Sequence, residues 1–189
     1  MLVLVWHRAS AYLYEVPTTV IYPDAPPAFA FFFKPGGPLE RFTGNPDSRY
    51  AVYHVWLVPG ATHGIRLRHE ADPARIRVYA LDAHPFGRVH NSVELYPTPI
   101  QDWFWSSVVY EVIVRLPDSA TQSGSYLLIE WRPTSVSEEP PRLRVQVVSM
   151  GEREMLMGRG RSRWWRFGHD SVLPPSPLQT QRPIELPYR

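Results

Sequence analysis

The stretch Arg142-Leu-Arg-Val-Gln-Val-Val148 alternates between polar and apolar side chains. Successive side chains of a β-strand point to opposite faces, so the leucine and two of the valines share one face and the arginines share the other. The same period of two recurs in residues 64–69 and 75–80. The pattern predicts strands with one buried face and one solvent-facing side that carries arginine.

Other runs are apolar on both faces, which predicts central strands or strands covered by a neighbouring subunit. These runs span residues 2–6, 28–33, 50–58 and 108–116. Shorter β-type runs lie at residues 12–16, 18–22, 93–96 and 125–131, between Pro- and Gly-containing breaks. Many short strands at close spacing predict an all-β fold, an antiparallel β-sandwich of the jelly-roll kind. The last three runs, ending at residue 148, are expected to form a meander.

Composition narrows the class of protein. The chain has 189 residues, of which 44% are hydrophobic and 20% are charged, as in a globular domain. Its 21 prolines oppose long helices, and the lack of cysteine excludes disulfides, thiolate zinc sites and a cysteine nucleophile. No run approaches the roughly 18 apolar residues of a membrane helix, and the first residues do not form a signal peptide. We expect no membrane insertion.

The character of the chain changes near residue 150. Residues 1–150 hold 13 basic and 14 acidic side chains, whereas residues 151–189 hold 7 basic and 4 acidic ones. We therefore predict a β-sandwich domain over residues 1–150 and an extended Pro-, Arg- and Trp-rich C-terminal arm over residues 151–189. Lys34 is the single lysine among 20 basic residues, and this bias favours a GC-rich or heat-adapted source.

No motif in the chain indicates catalysis. None of the seven histidines forms a His-x-His pair, which argues against a cupin-type metal site. Glu138 and Glu139 lie in a Ser- and Pro-rich turn typical of a solvated loop, and Ser106 and Ser107 lack the Gly-x-Ser-x-Gly elbow. We therefore expect no enzyme activity, no catalytic residue, no metal and no cofactor.

Trp103-Phe-Trp105 precedes a predicted strand, so Trp103 and Trp105 share one face. An aromatic pair of this kind binds sugar rings in many carbohydrate-binding modules. The same rings would also suit a core or a subunit contact, where aromatic side chains are common. The core or interface interpretation is the preferred one.

A basic and aromatic segment lies within the predicted arm. It consists of Arg159, Arg161, Arg163, Trp164, Trp165, Arg166 and Phe167. Arginine forks bind phosphates and the rings could stack on bases, but the rest of the chain lacks a broad basic footprint. Because tryptophan and arginine are also enriched at binding hot spots, we favour a protein partner over nucleic acid.

In general organisation the chain resembles virion structural proteins: jelly-roll capsid, minor capsid or decoration subunits whose terminal arms link one subunit to the next. The resemblance covers the strand pattern over residues 2–148 and the arm over residues 151–189, and no motif carries it. It implies a non-catalytic subunit that assembles with copies of itself or with other structural subunits. The expected location is the virion; if the protein is not a virion component, we expect it in the cytoplasm. A bacteriophage of a GC-rich or thermophilic host would fit. A carbohydrate-binding sandwich and a nucleic-acid-binding accessory protein are the alternatives.

Overall fold

The computed structural model describes residues 18–34, 45, 47–100, 109–120, 124–150 and 182–188. Over these residues the chain is all-β, as predicted, with one short 3-10 helix at Pro73–Arg75 and no α-helix. None of the described residues form a helix long and apolar enough to span a membrane.

Eleven strands occur in the described part of the chain. They are β1 (Thr18–Ile21), β2 (Ala28–Phe29), β3 (Arg49–Trp56), β4 (Thr62–Arg68), β5 (Ile76–Leu81), β6 (Ser92–Leu95), β7 (Thr98–Ile100), β8 (Val109–Arg115), β9 (Gly124–Trp131), β10 (Arg144–Ser149) and β11 (Ile184–Glu185). The first sheet has the order β1-β3-β9-β5-β6. The second has the order β11-β8-β4-β10-β2, and β7 also pairs with β8.

The two sheets share one hydrophobic core. Val145 and Val147 of β10 and Ile65 of β4 are buried in the same cluster as Tyr53 and Val55 of β3, from the opposite sheet. These are the apolar positions of the alternating runs. The predicted inward faces of those runs are therefore confirmed.

The central pairings are nested along the chain: β3 pairs with β9, β4 with β8, and β5 with β6, all antiparallel. The expected meander of β8, β9 and β10 is wrong, because these three strands alternate between the sheets. Leu127 and Leu128 explain the position of β9. They point to opposite faces and both are buried, so β9 fits between β3 and β5 at the centre of the first sheet.

Both sheets are mixed, so the prediction of purely antiparallel sheets is wrong at two places. β1 runs parallel to β3, and β11 runs parallel to β8. Parallel neighbours need a long crossover connection, and both pairs have one. Residues 22–48 separate β1 from β3 and include β2 of the other sheet, while residues 116–183 separate β8 from β11 and include β9 and β10.

The last described residues, 182–188, lie against the β domain. Leu186 is buried in the shared core, and its backbone N–H donates to the Arg115 carbonyl at 2.9 Å. The end of the predicted arm thus contributes to the core, which its Pro-rich sequence did not indicate. Deleting residues 158–189 would therefore remove a core residue, Leu186, together with most of the predicted arm. Residues 151–181 lie outside the described residues, and the arm prediction for them stays a prediction.

Candidate functional site

The outer face of the first sheet carries a second hydrophobic cluster. Tyr50, Val52, Tyr79, Leu81 and Leu128 are buried there, although they point away from the shared core. Three partly buried side chains from the segments that cross this face pack against them: Phe33, Phe86 and Val89. Some runs are therefore apolar on both faces because one face packs in the shared core and the other face packs against further segments of the same chain.

Seven rings form a continuous series across this face, which we call the aromatic band. In order of contact they are Tyr22, Trp56, His54, Tyr126, His84, Phe86 and Phe33. Successive ring centroids lie between 4.6 and 6.3 Å apart, within the range of favourable aromatic contacts. The band therefore joins β3 and β9 to Tyr22, which directly follows β1, to Phe33 and to the loop that follows β5.

The alternation of side chains along β3 explains why the central residues of the band lie on the outer face. On β3, Tyr53 and Val55 point into the shared core, so His54 and Trp56 point outward. The His54 ring stacks on Tyr126 of the neighbouring β9, with centroids 4.6 Å apart and planes 10° apart. A second ring contact joins His54 to Trp56, with centroids 5.2 Å apart. The imidazole is thus held between two aromatic rings.

Gly124 makes room for this arrangement. It is the residue directly opposite Trp56 in the β3–β9 register. A Cβ atom at this position would lie only 2.5 Å from His54 Nε2 and 3.2 Å from the carbonyl oxygen of Val55. Because the His54 ring is already held by its neighbours, any side chain at position 124 would force the ring to move.

His84 joins the loop after β5 to the edge strand β1. The Phe86 backbone N–H donates to His84 Nδ1 at 3.3 Å, so that nitrogen is unprotonated and the proton is on Nε2. Nε2 lies 3.0 Å from Thr18 Oγ1 and donates to it. Burial lowers the pKa of His84, and the neighbouring His54 lowers it further.

The chemistry of the band is apolar stacking. Burial also lowers the pKa of His54, so at neutral pH both imidazoles of the band are uncharged. His69 and His63 lie elsewhere, buried on the inner side of the second sheet, and His69 stacks on Tyr110 at 4.8 Å. Within the described ranges, no group of three His, Asp or Glu side chains is placed to hold a metal ion.

One end of the band is exposed to solvent. Tyr22 is 56% exposed and Trp56 is 38% exposed, and their rings lie 17° from parallel with centroids 6.2 Å apart. Val20 and Val58, which lie two positions before Tyr22 and two positions after Trp56 in the chain, are also exposed. These four side chains, Val20, Tyr22, Trp56 and Val58, are named the exposed corner. It lies beside β1, the outermost described strand of the first sheet.

The residues singled out from the sequence fall mostly outside the described chain. Trp103 and Trp105 lie there, as does the basic and aromatic segment at residues 159–167, and their roles stay predictions. Glu138 is described: it accepts hydrogen bonds from Arg75 and from Thr134, which together lower its pKa to about 2. It thus stabilises a loop.

Sequence reasoning did not identify the aromatic band. Its members are dispersed from residue 22 to residue 126, and the pairing of β3 with both β1 and β9 brings them together. One signal was present in the sequence: His54 and Trp56 share a face within a run that is apolar on both sides. The chain matches no protein-family model and no curated protein.

Proposed function

We propose that this protein is a non-enzymatic structural subunit with a jelly-roll β-sandwich fold, and that it assembles with further copies of itself through the exposed corner. The narrower proposal is a virion subunit of the capsid, minor capsid or decoration type. That narrower proposal rests on the resemblance in strand pattern and arm composition.

The nested pairing supports the fold assignment. In a jelly roll, an antiparallel double strand wraps so that successive pairs lie alternately in two facing sheets. The pairs β3–β9, β4–β8 and β5–β6 follow this order, falling in the first, second and first sheet. Jelly rolls occur in viral capsids, in lectins and in cupins. The fold is therefore compatible with both the structural function and the sugar-binding function.

The observation that carries the assembly proposal is the exposed corner. Tyr22 and Trp56 are large aromatic side chains that are exposed side by side, and Val20 and Val58, each two positions from one of them in the chain, are exposed as well. Clusters of exposed apolar side chains mark interaction surfaces, and aromatic residues are enriched in them. The neighbouring β1 is the outermost strand of the first sheet within the described part of the chain.

Sedimentation of the full-length chain over a range of concentrations tests this proposal. The wild type should self-associate, and replacing Tyr22 and Trp56 with alanine should weaken association by about 2 kcal/mol or more, as at hot-spot aromatics. Tyr96→Ala is the matched control, because Tyr96 is 69% exposed but lies outside the corner. A wild type that stays monomeric, or a double variant that associates as well as the control, contradicts the proposal.

Carbohydrate binding is the second candidate, and the near-parallel pair Tyr22–Trp56 favours it. Two exposed rings in this arrangement could stack against sugar rings. A glycan array separates the two functions. Glycan binding that is lost in the Tyr22 and Trp56 double variant, with sedimentation unchanged, would favour the sugar-binding function over assembly.

A further inference from the structure

Two short strands share one edge of β8. The other edge pairs with β4 along the whole strand, so β7 and β11 both lie on the edge that faces away from β4. There β7 pairs antiparallel with residues 109–111, and β11 pairs parallel with residues 114–115. Within the described part of the chain, no strand pairs with residues 112 and 113 on this edge. The edge therefore has a short gap between β7 and β11.

The backbone of Ile113 faces this gap. Leu186 N–H donates to the Arg115 carbonyl at 2.9 Å, so the backbone groups of Arg115 point towards β11. Gly60, which precedes β4, donates to the carbonyl of Leu116 at 2.8 Å, so the next residue of the chain points the opposite way. Because this direction alternates along a strand, the N–H and C=O of Ile113 point to the same edge as those of Arg115. The gap thus presents one hydrogen-bond donor and one acceptor.

A cavity of about 300 Å³ lies at the gap. Ile113 lines it from β8, Ile184 lines it from β11, and Tyr96 lines it from the segment just before β7. A cavity of this size is at the lower end of the range for small-molecule sites, which combine apolar walls with a few polar groups. The site therefore suits a small ligand group, one that can form hydrogen bonds with a peptide backbone.

Arg182 brings a positive charge to the cavity. It lines the cavity, it is exposed, and no carboxylate among the described residues forms an ion pair with it. The charge of the nearby Glu94 is compensated, because its carboxylate accepts from Tyr96 Oη at 3.1 Å and lies 3.7 Å from Arg77 Nε. Glu185 is exposed and does not line the cavity. The charges at the site therefore favour an anionic ligand.

We propose that this cavity binds an N-acyl amino acid group, the group that ends a peptide at its carboxyl terminus. The ligand N–H donates to the Ile113 carbonyl, and its carboxylate accepts from Ile113 N–H and from Arg182. These are the backbone hydrogen bonds of an added strand together with a charge-assisted one. Since β7 and β11 occupy both sides of the gap, a strand continuing along β8 would collide with them. The end of a chain fits this gap better than its middle does.

Titration calorimetry of the full-length chain with N-acetyl-alanyl-alanine tests the site. The same peptide with an amidated carboxyl terminus should bind about tenfold or more weakly, as expected when a charged hydrogen-bonding partner is lost. Arg182→Gln should weaken binding of the free carboxylate by a similar factor. Arg88→Gln is the matched control, because Arg88 is also an exposed arginine but belongs to the loop after β5. It should bind the peptide like the wild type.

Hydrogen exchange reports on the backbone contact, which no substitution removes cleanly. The bound peptide should slow exchange of the Ile113 amide, because its carboxylate accepts a hydrogen bond from that N–H. Tyr96→Ala should weaken binding by removing one wall of the cavity, whereas Tyr96→Phe keeps the ring and should bind like the wild type. Retained binding in Tyr96→Phe separates a contact with the ring from a contact with the hydroxyl.

N-acetyl-alanine distinguishes the two sources of this group. Binding as tight as that of the dipeptide indicates a free N-acyl amino acid, and weaker binding indicates a peptide terminus; either supports the site. Absence of saturable binding of both compounds overturns the proposal, as does equal affinity for the acid and its amide. Replacing Tyr22 and Trp56 should leave peptide binding unchanged, because the exposed corner belongs to the other sheet, so this test is independent of self-association.

Discussion

The outer faces of the two sheets differ in what covers them. On the first sheet, Leu128 and its neighbours are buried beneath Phe33, Phe86 and Val89, and the aromatic band crosses the face. On the second sheet, the outward positions of β4 and β10 carry arginine and glutamine around a shallow depression. The outer face of the first sheet is buried like a hydrophobic core, except at the exposed corner. The outer face of the second sheet carries charged and polar side chains along β4 and β10.

This difference shows that strand alternation determines only which side chains share a face. It does not determine what lies over that face. Within the described residues, Phe33, Phe86 and Val89 cover the second hydrophobic cluster, whereas Tyr22 and Trp56 of the exposed corner are open to solvent. The first sheet therefore carries the proposed assembly surface, whereas the outward positions of β4 and β10 on the second sheet are polar.

The largest expected effect is in the covered outer face of the first sheet. Leu128→Ala should lower the free energy of unfolding by about 2–5 kcal/mol, the cost of deleting a buried leucine side chain. Leu127→Ala, its neighbour in the shared core, should cost a similar amount, because both leucines are buried. Urea denaturation measures both changes. If Leu128→Ala costs well under 1 kcal/mol, the second hydrophobic cluster does not stabilise the fold and the comparison fails.

Gly124→Ala should lower the free energy of unfolding by about 1–3 kcal/mol, because the added methyl group collides with the His54 ring. Adding His54→Ala to Gly124→Ala should restore part of that loss by opening space. A double-mutant cycle measures the coupling between the two positions. Simple additivity of the two substitutions would show that His54 does not occupy the place beside Gly124.

Acidification should destabilise the first sheet through its histidines. Burial lowers the pKa of His54 and His84 below the ordinary 6.5, so the unfolded chain binds protons more readily than the folded protein does. Stability from these groups is present above pH 6.5 and is lost as the pH falls towards their folded pKa. Denaturation midpoints measured from pH 7.5 to 5 should therefore decrease, and His84→Gln should flatten the decrease. An unchanged profile in that variant would exclude a contribution from His84.

The smallest effect on stability is expected on the second sheet. Arg144→Gln should change the free energy of unfolding by no more than about 1 kcal/mol, as expected at a surface position. The contact that would be lost is a cation–π contact with the half-exposed ring of Phe29, and such contacts contribute only about 0.5–1 kcal/mol at exposed sites. Thermal denaturation measures it. A loss above about 2 kcal/mol would mean that the second outer face is also part of the core.

Period-two runs predicted much of this fold. The strands at residues 64–69, 75–80 and 142–148 are close to β4, β5 and β10, and their inward residues lie in the shared core. The pairing order could not be predicted, because alternation contains no information about which strands are neighbours. The short strands β7 and β11 gave no signal, since a prolyl residue occurs within β7 and another directly precedes β11.

The candidate site was less predictable than the fold. His54 stacks on Tyr126 because β3 and β9 are antiparallel neighbours, and the two residues are 72 positions apart in the chain. Arg68 and Arg144 likewise become neighbours only through the pairing of β4 with β10. Their outward direction was predicted from the alternating runs, but their convergence on one depression requires the three-dimensional arrangement.

Photo-crosslinking from the two outer faces tests the central claim most directly. A photoreactive phenylalanine derivative replaces Trp56 in the exposed corner in one sample of purified full-length protein, and Arg144 in the other. We predict a covalent dimer from position 56, attached near the exposed corner or β1 of the second copy, and little or none from position 144. Equal dimer formation from both positions, or none from position 56 at concentrations where the wild type associates, would contradict assembly through the first sheet.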